Sequence, residues 1–210
     1  MKVLLTFLVV LLSHQVFADV GVVFGFRYGG LDNSALPANP YFGTFSSNKL
    51  PNAEIGALYE TDLTSYLGIR TGLMYIPLTM QLVLTVPSYT SATLTSTQTL
   101  NTLAVPFQFL IHFSNSISLE LGGYFWDEIS VQTTQVGAGL TYSGNSNYNG
   151  NATGVAGRVG IGIKPASYMA VSFSYEPSVT IGTTNITFGS TTSSTTATVS
   201  TAVADFAFYF

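Results

Sequence analysis

No cysteine occurs in the 210 residues, so neither a disulfide scaffold nor a zinc–thiolate centre is open to this chain. Charge is nearly as scarce. Asp, Glu, Lys and Arg make up 8% of the sequence, against about a quarter in an ordinary soluble domain. Lys and Arg together number six, too few to neutralise a phosphate backbone, which sets nucleic acid aside as a partner. Long apolar runs are missing too. Only residues 3–12 approach one, and a membrane-spanning helix needs roughly 18 or more. What the chain does have is hydrophobic residues, 47% of the total, with a mean hydropathy of +0.39. So apolar a chain, with so little charge and no spanning helix, needs an apolar surrounding reached in some other way.

The opening "MKVLLTFLVVLLSHQVFADV" has a charged start at Lys2, an apolar stretch and the small-residue exit "VFA". This is the pattern of a secretory signal peptide over residues 1–18, cut after Ala18, with one mature domain over 19–210. Eight stretches of the mature chain alternate with period two, the signature of β-strands. They run over residues 20–28, 53–61, 66–76, 102–113, 116–126, 153–164, 168–177 and 200–210. Each is near the 9–11 residues that a tilted strand needs to cross a bilayer. The connections alternate strictly between short and long. "TDLTS", "SN" and "PAS" are short; 29–52, 77–101, 127–152 and 178–199 are long and rich in Gly, Asn, Ser, Thr and Pro. Tight turns on one side and extended loops on the other are the habit of membrane barrels.

Charge placement tests this reading. Taking the apolar face of each strand alone, Phe24, Phe26, Leu73, Phe107, Phe109, Ile161, Phe173, Phe206 and Phe208 point outward. Arg27, Glu54, Glu60, Arg70, Glu120, Arg158, Lys164, Glu176 and Asp205 all fall on the opposite face. A soluble barrel would carry its charges outside. A cation facing mid-bilayer costs about 2–4 kcal/mol, and none is placed there. The fold expected is all-β: an eight-stranded antiparallel up-and-down transmembrane β-barrel, preceded by a cleaved signal peptide. Tyr28, Tyr75, Phe125, Trp126 and Tyr175 near the loop ends are candidates for an interfacial aromatic girdle, with Trp126 on the inward phase.

Three features carry a resemblance: "DVGVVFGFRYGG" after the signal peptide, the hairpin "NTLAVPFQFLIHFSNSISLELGGYFW", and a last strand, "STAVADFAFYF", ending on Phe210. With them the chain resembles the small eight-stranded outer-membrane β-barrel superfamily of the OmpA transmembrane-domain and OmpX type, which is porin-like. The resemblance implies a bacterial outer-membrane location, contact with outer-membrane lipid, and Phe210 as a signal read by the barrel-assembly machinery. The even strand count puts both termini on the periplasmic side.

Inside the barrel, Arg27, Glu54, Arg70, Glu120, Arg158, Glu176 and Asp205 are expected to form a charge network. Distance from the turns puts Arg70, Glu120, Arg158 and Asp205 in a lower-middle layer, and Arg27, Glu54 and Glu176 nearer the loops. Buried charges must pair, and eight strands leave only enough interior for their own side chains, so the network reads as a plug. The competing reading is a narrow porin-like channel for ions or very small solutes. No catalytic residue, cofactor site or metal site is expected. His14 leaves with the signal peptide, and His112 lies beside the short turn "SN". Asp127 and Glu128 are taken as solvated carboxylates opening a loop. The leading function is non-enzymatic: structure, and adhesion-like surface interaction through loops 29–52, 77–101, 127–152 and 178–199. Threonine-rich loops can either extend the wall as hairpins or stay as hydrated coverings.

Overall fold

The computed structural model describes residues 18–31, 44–85, 93–138, 144–150, 153–188 and 191–210. The expected signal segment lies outside the described residues except for Ala18, which opens the first strand. Every regular element among the described residues is a β-strand, and every pairing is antiparallel. The strands are β1 (Ala18–Leu31), β2 (Thr44–Asn48), β3 (Leu50–Thr64), β4 (Leu67–Thr85), β5 (Thr93–Ser114), β6 (Ile117–Ala138), β7 (Gly144–Gly150), β8 (Thr153–Ala166), β9 (Met169–Phe188) and β10 (Thr191–Tyr209).

Eight of these form the ring, in the order β1-β3-β4-β5-β6-β8-β9-β10, with β10 bonded back to β1. Closure leaves no strand edge for lipid to strip of hydrogen bonds. The closing register pairs Gly21 with Tyr209 and Phe24 with Phe206. Three turns, at residues 65–66, 115–116 and 167–168, mark one end. The start of β1 and the last residue sit there too: Ala18 pairs with Thr61, and Phe210 N donates to Val20 O at 2.9 Å.

The barrel is inside-out relative to a soluble one. Phe26 is 65% exposed, and Phe24, Leu73, Phe109, Ile161, Phe206 and Phe208 also face outward. The charged residues on the alternate phase are buried, except Lys164, which is half-buried. One expectation fails here. Trp126 is inside, not in a girdle, and its ring lies against Gly154, where a Cβ would stand 2.7 Å from the indole nitrogen. Tyr28, Tyr75, Phe125 and Tyr175 do face outward.

The wall is taller than the apolar alternation indicated. Paired strand fills most of the two gaps 77–101 and 178–199: β4 and β5 remain in register up to Thr85 and Thr93, and β9 and β10 up to Phe188 and Thr191. From Tyr75 to Thr85, β4 continues for about 30 Å along its axis. Threonine and valine suit a pleated backbone, so the strands continue where the outward apolar run stops. Asp127 and Glu128 likewise lie within β6 rather than opening a loop, next to a bulge at Ile129.

Two prolines rearrange the pairing at similar positions in the two halves. β3 and β4 pair up to Ile55 and Tyr75; beyond Pro77, β4 bonds instead to β2, from Gln81 to Thr85. β8 and β9 pair up to Val159 and Tyr175; beyond Pro177, β9 bonds to β7 from Gly182 to Phe188. Proline has no N–H to give the ladder, so the neighbouring strand can leave there. At the first break the Asn52 carboxamide oxygen accepts from Thr79 N at 2.8 Å and bridges the gap.

Candidate functional site

The barrel interior holds the concentrated chemistry. Inward-facing positions on seven of the strands carry its charges, because period-two alternation aims every second side chain at the axis. Gly25 makes room for them: a Cβ there would run into the Asp205 carboxylate and stand 2.5 Å from Glu54 Cγ.

The charges form two clusters. In the first, nearer the long hairpins, Arg27 pairs with Glu54 and Glu176. Arg158 Nε donates to Glu176 Oε1 at 2.8 Å, its Nη1 to Asp205 Oδ2 at 2.9 Å, and its Nη2 to Glu54 Oε1 at 3.2 Å. The Tyr124 hydroxyl donates to Glu176 Oε2 at 3.0 Å and accepts from Arg27 Nη2 at 3.1 Å. Its ring lies 5.7 Å from each guanidinium, near enough for a cation–π contact.

The second cluster lies toward the short turns. Arg70 Nε donates to Glu60 Oε2 at 3.0 Å, and Arg70 Nη1 to Glu120 Oε1 at 2.8 Å. The Tyr209 hydroxyl donates to Glu60 Oε2 at 2.6 Å, and Ser172 Oγ to Glu120 Oε1 at 2.8 Å. Lys164 closes this end, bonded to Asp19 at 3.0 Å and stacked over the Tyr209 ring at 4.8 Å. At the rim beside the turns His112 Nε2 lies 2.9 Å from Asp62 Oδ1.

All seven residues expected in a network are buried, and each has an ion-pair partner. The expected layering needs correction. Arg158 and Asp205 join Arg27, Glu54 and Glu176, while Arg70 and Glu120 join Glu60. The cause is the strand register: Gly25 pairs with both Glu54 and Asp205, which sets those two carboxylates side by side, one inward position along β1 from Arg27. Tyr124, Tyr209 and Ser172 complete the clusters and were missed as site residues. The inward phase of Tyr209, beside Asp205, was a usable signal for one of them.

Beyond the first cluster the lumen turns apolar. Met80, Leu82, Leu100, Trp126, Ile181, Ala197 and Val199 are buried there, packed with Leu78, Val131 and Val179. The bulge after Pro177 helps create this lining: Glu176 faces in, then the phase flips so that Val179 and Ile181 face in as well. Among the described residues, no three of His, Asp and Glu are grouped so as to hold a metal ion.

No family model matches this sequence, and no curated protein matches it. Solved structures do match in shape. The outer membrane protein OprG of Pseudomonas aeruginosa aligns over 93% of this chain and 97% of its own, with a TM-score of 0.50 at 12% identity. Ail, the attachment invasion locus protein of Yersinia pestis, aligns over 92% and 99% at 0.45 and 11% identity. Outer membrane protein W of E. coli aligns over 94% and 100% at 0.45 and 13% identity. The chain has the fold of the small outer-membrane β-barrels.

Proposed function

We propose that this protein is a non-enzymatic barrel of the bacterial outer membrane, closed to through-flow, that works through its tall threonine-rich hairpins at the cell surface. The observation that carries the reading is the combination of a lumen crossed by two ion-paired clusters with a wall built well past the aromatic residues. Every arginine in the barrel is tied to at least two carboxylates, so water would have to displace strong charge-assisted bonds to pass. That favours a plug over the narrow ion channel.

The start of β1 and Phe210 lie with the short turns, which fits a periplasmic location for that end and a surface location for the hairpins. The outward apolar band fits outer-membrane lipid. Phe210, exposed at the end of β10, fits an assembly signal. His112 engages Asp62 at the short-turn rim, away from the outer leaflet, which supports a non-enzymatic role. Surface partners would be met by the hairpins within 77–101 and 178–199, together with the segments in 29–52 and 127–152.

The test replaces the β4–β5 extension between Gln81 and Thr97, which pair across it, with a two-residue turn. The barrel is expected to fold and shift on unboiled gels as before, while adhesion of expressing cells to one another or to host matrix falls. Unchanged adhesion from a correctly folded, surface-located variant contradicts the proposal.

A further inference from the structure

Asp205 on β10, Gly25 on β1 and Glu54 on β3 stand in one register row across the seam where the ring closes. With glycine in the middle, nothing separates the two carboxyl groups. Where a Gly25 Cβ would stand, Asp205 Oδ1 crowds in, and Glu54 Cγ and Cδ lie 2.5 and 3.0 Å away. The two carboxyl groups are within hydrogen-bonding reach of each other. Ionised carboxylates only accept, so two of them cannot bond without a proton between them. As neighbouring buried charges they would repel.

The donors around them decide where that proton sits. Glu54 Oε2 accepts from Arg27 Nη1, and Glu54 Oε1 from Arg158 Nη2. Glu176 Oε1 accepts from Arg158, and Glu176 Oε2 from both Arg27 and Tyr124. Asp205 Oδ2 accepts from Arg158 Nη1. Asp205 Oδ1 alone has no donor among the described residues, although Asp205 is only 8% exposed. A buried polar atom without a partner calls for an explanation. The charge count agrees: three carboxyl groups face two guanidiniums, so one negative charge is surplus unless one group is neutral. Ser172, the register partner of Asp205 on β9, gives its hydroxyl to Glu120, which is itself bound to Arg70.

From this we infer that the first ion cluster is a proton-binding site: Asp205 Oδ1 carries one proton and donates it to Glu54, clasping β10 to β3 over Gly25 as a pH-dependent lock on the closing seam. The proton makes the cluster neutral and gives Oδ1 its partner, while Oδ2 still accepts from Arg158. It comes from bulk water and on release returns there, leaving two charged carboxylates side by side. The sign of the pH effect follows. The unfolded chain gives the proton up above about pH 4, where a solvated aspartate ionises. The folded barrel keeps it, so across neutral pH the folded state holds one proton more, and stability falls as pH rises.

The experiment is NMR of the protein in lipid nanodiscs with carbon-labelled aspartate carboxyls, joined to urea unfolding in lipid vesicles. At neutral pH one aspartate signal is expected in the range of a protonated acid, absent from Asp205→Asn. Glu54→Gln assigns the same signal without altering Asp205: its amide becomes the donor, the charges balance, and the Asp205 signal moves to the ionised range. The folding equilibrium constant of the unaltered chain should fall about tenfold per pH unit around neutrality, relative to Asp205→Asn, whose amide donates to Glu54 and accepts from Arg158 at every pH. Four results overturn the site: every aspartate ionised at neutral pH, a protonated signal that persists in folded Glu54→Gln, equal pH slopes for the unaltered chain and Asp205→Asn, or an ionised Asp205 signal that shifts saturably with sodium, which puts a metal cation in the proton's place.

Discussion

Arg27 and Arg158 come from strands on different sides of the ring, yet each binds both Glu54 and Glu176. The two arginines and two glutamates therefore form a closed cycle of ion pairs across the barrel. Asp205 and Tyr124 attach to it from the sides. Contacts of this kind couple four strands through the lumen, in addition to the hydrogen bonds that couple them along the wall.

Removing one member strands the others. Arg158→Ala leaves Glu54, Glu176 and Asp205 short of a cation in a buried site, and the expected loss is about 3–5 kcal/mol. Urea unfolding in lipid vesicles, followed by tryptophan fluorescence, measures it. A loss below about 1 kcal/mol, the scale of an exposed pair, would mean the cycle is not holding the barrel.

Gly25 tests the same cluster from the backbone. Its missing Cβ is the space that Asp205 and Glu54 occupy. Gly25→Val should cost about 1–3 kcal/mol by overpacking, seen as a lower midpoint in the same unfolding assay. Gly157 has only distant neighbours at its Cβ position, so Gly157→Val at the other side of the barrel should cost much less.

The lipid-facing band predicts a depth profile. Phe173 is 57% exposed on the outer wall, and Phe173→Arg should cost about 2–4 kcal/mol. Tyr168, exposed at the turn between β8 and β9, lies beyond that band; Tyr168→Arg should cost about 1 kcal/mol or less. Equal costs at the two positions would argue against a bilayer around this surface.

Much of this architecture could be read from residue order. Phe206 and Phe208 outside with Asp205 and Tyr209 inside follow directly from period two, and the same counting places all seven expected network charges within the barrel. The height of the wall could not be read that way. "TSTQTL" is polar on both faces and "TTSSTTATVS" carries threonine on both, so strand and loop look alike until pairing is known. Nor could the grouping of charges. Whether Arg158 meets Glu176 or Glu120 depends on the register between β6, β8 and β9, and on a proline that breaks one of those pairings, neither of which leaves a mark in β8 alone. Trp126 was ambiguous for a related reason: its aromatic character suggested the interface, while its phase, and the space at Gly154, put it inside.

Single-channel recording in a planar bilayer tests the closed lumen most directly, using protein whose folding is verified by the shift between boiled and unboiled samples. The intact clusters predict a silent membrane under either polarity, with current arising only when Arg70 or Arg158 is replaced in a variant that still folds. Discrete, reproducible conductance steps from the unaltered protein would contradict it, and would make the same arginines and carboxylates the lining of a pore.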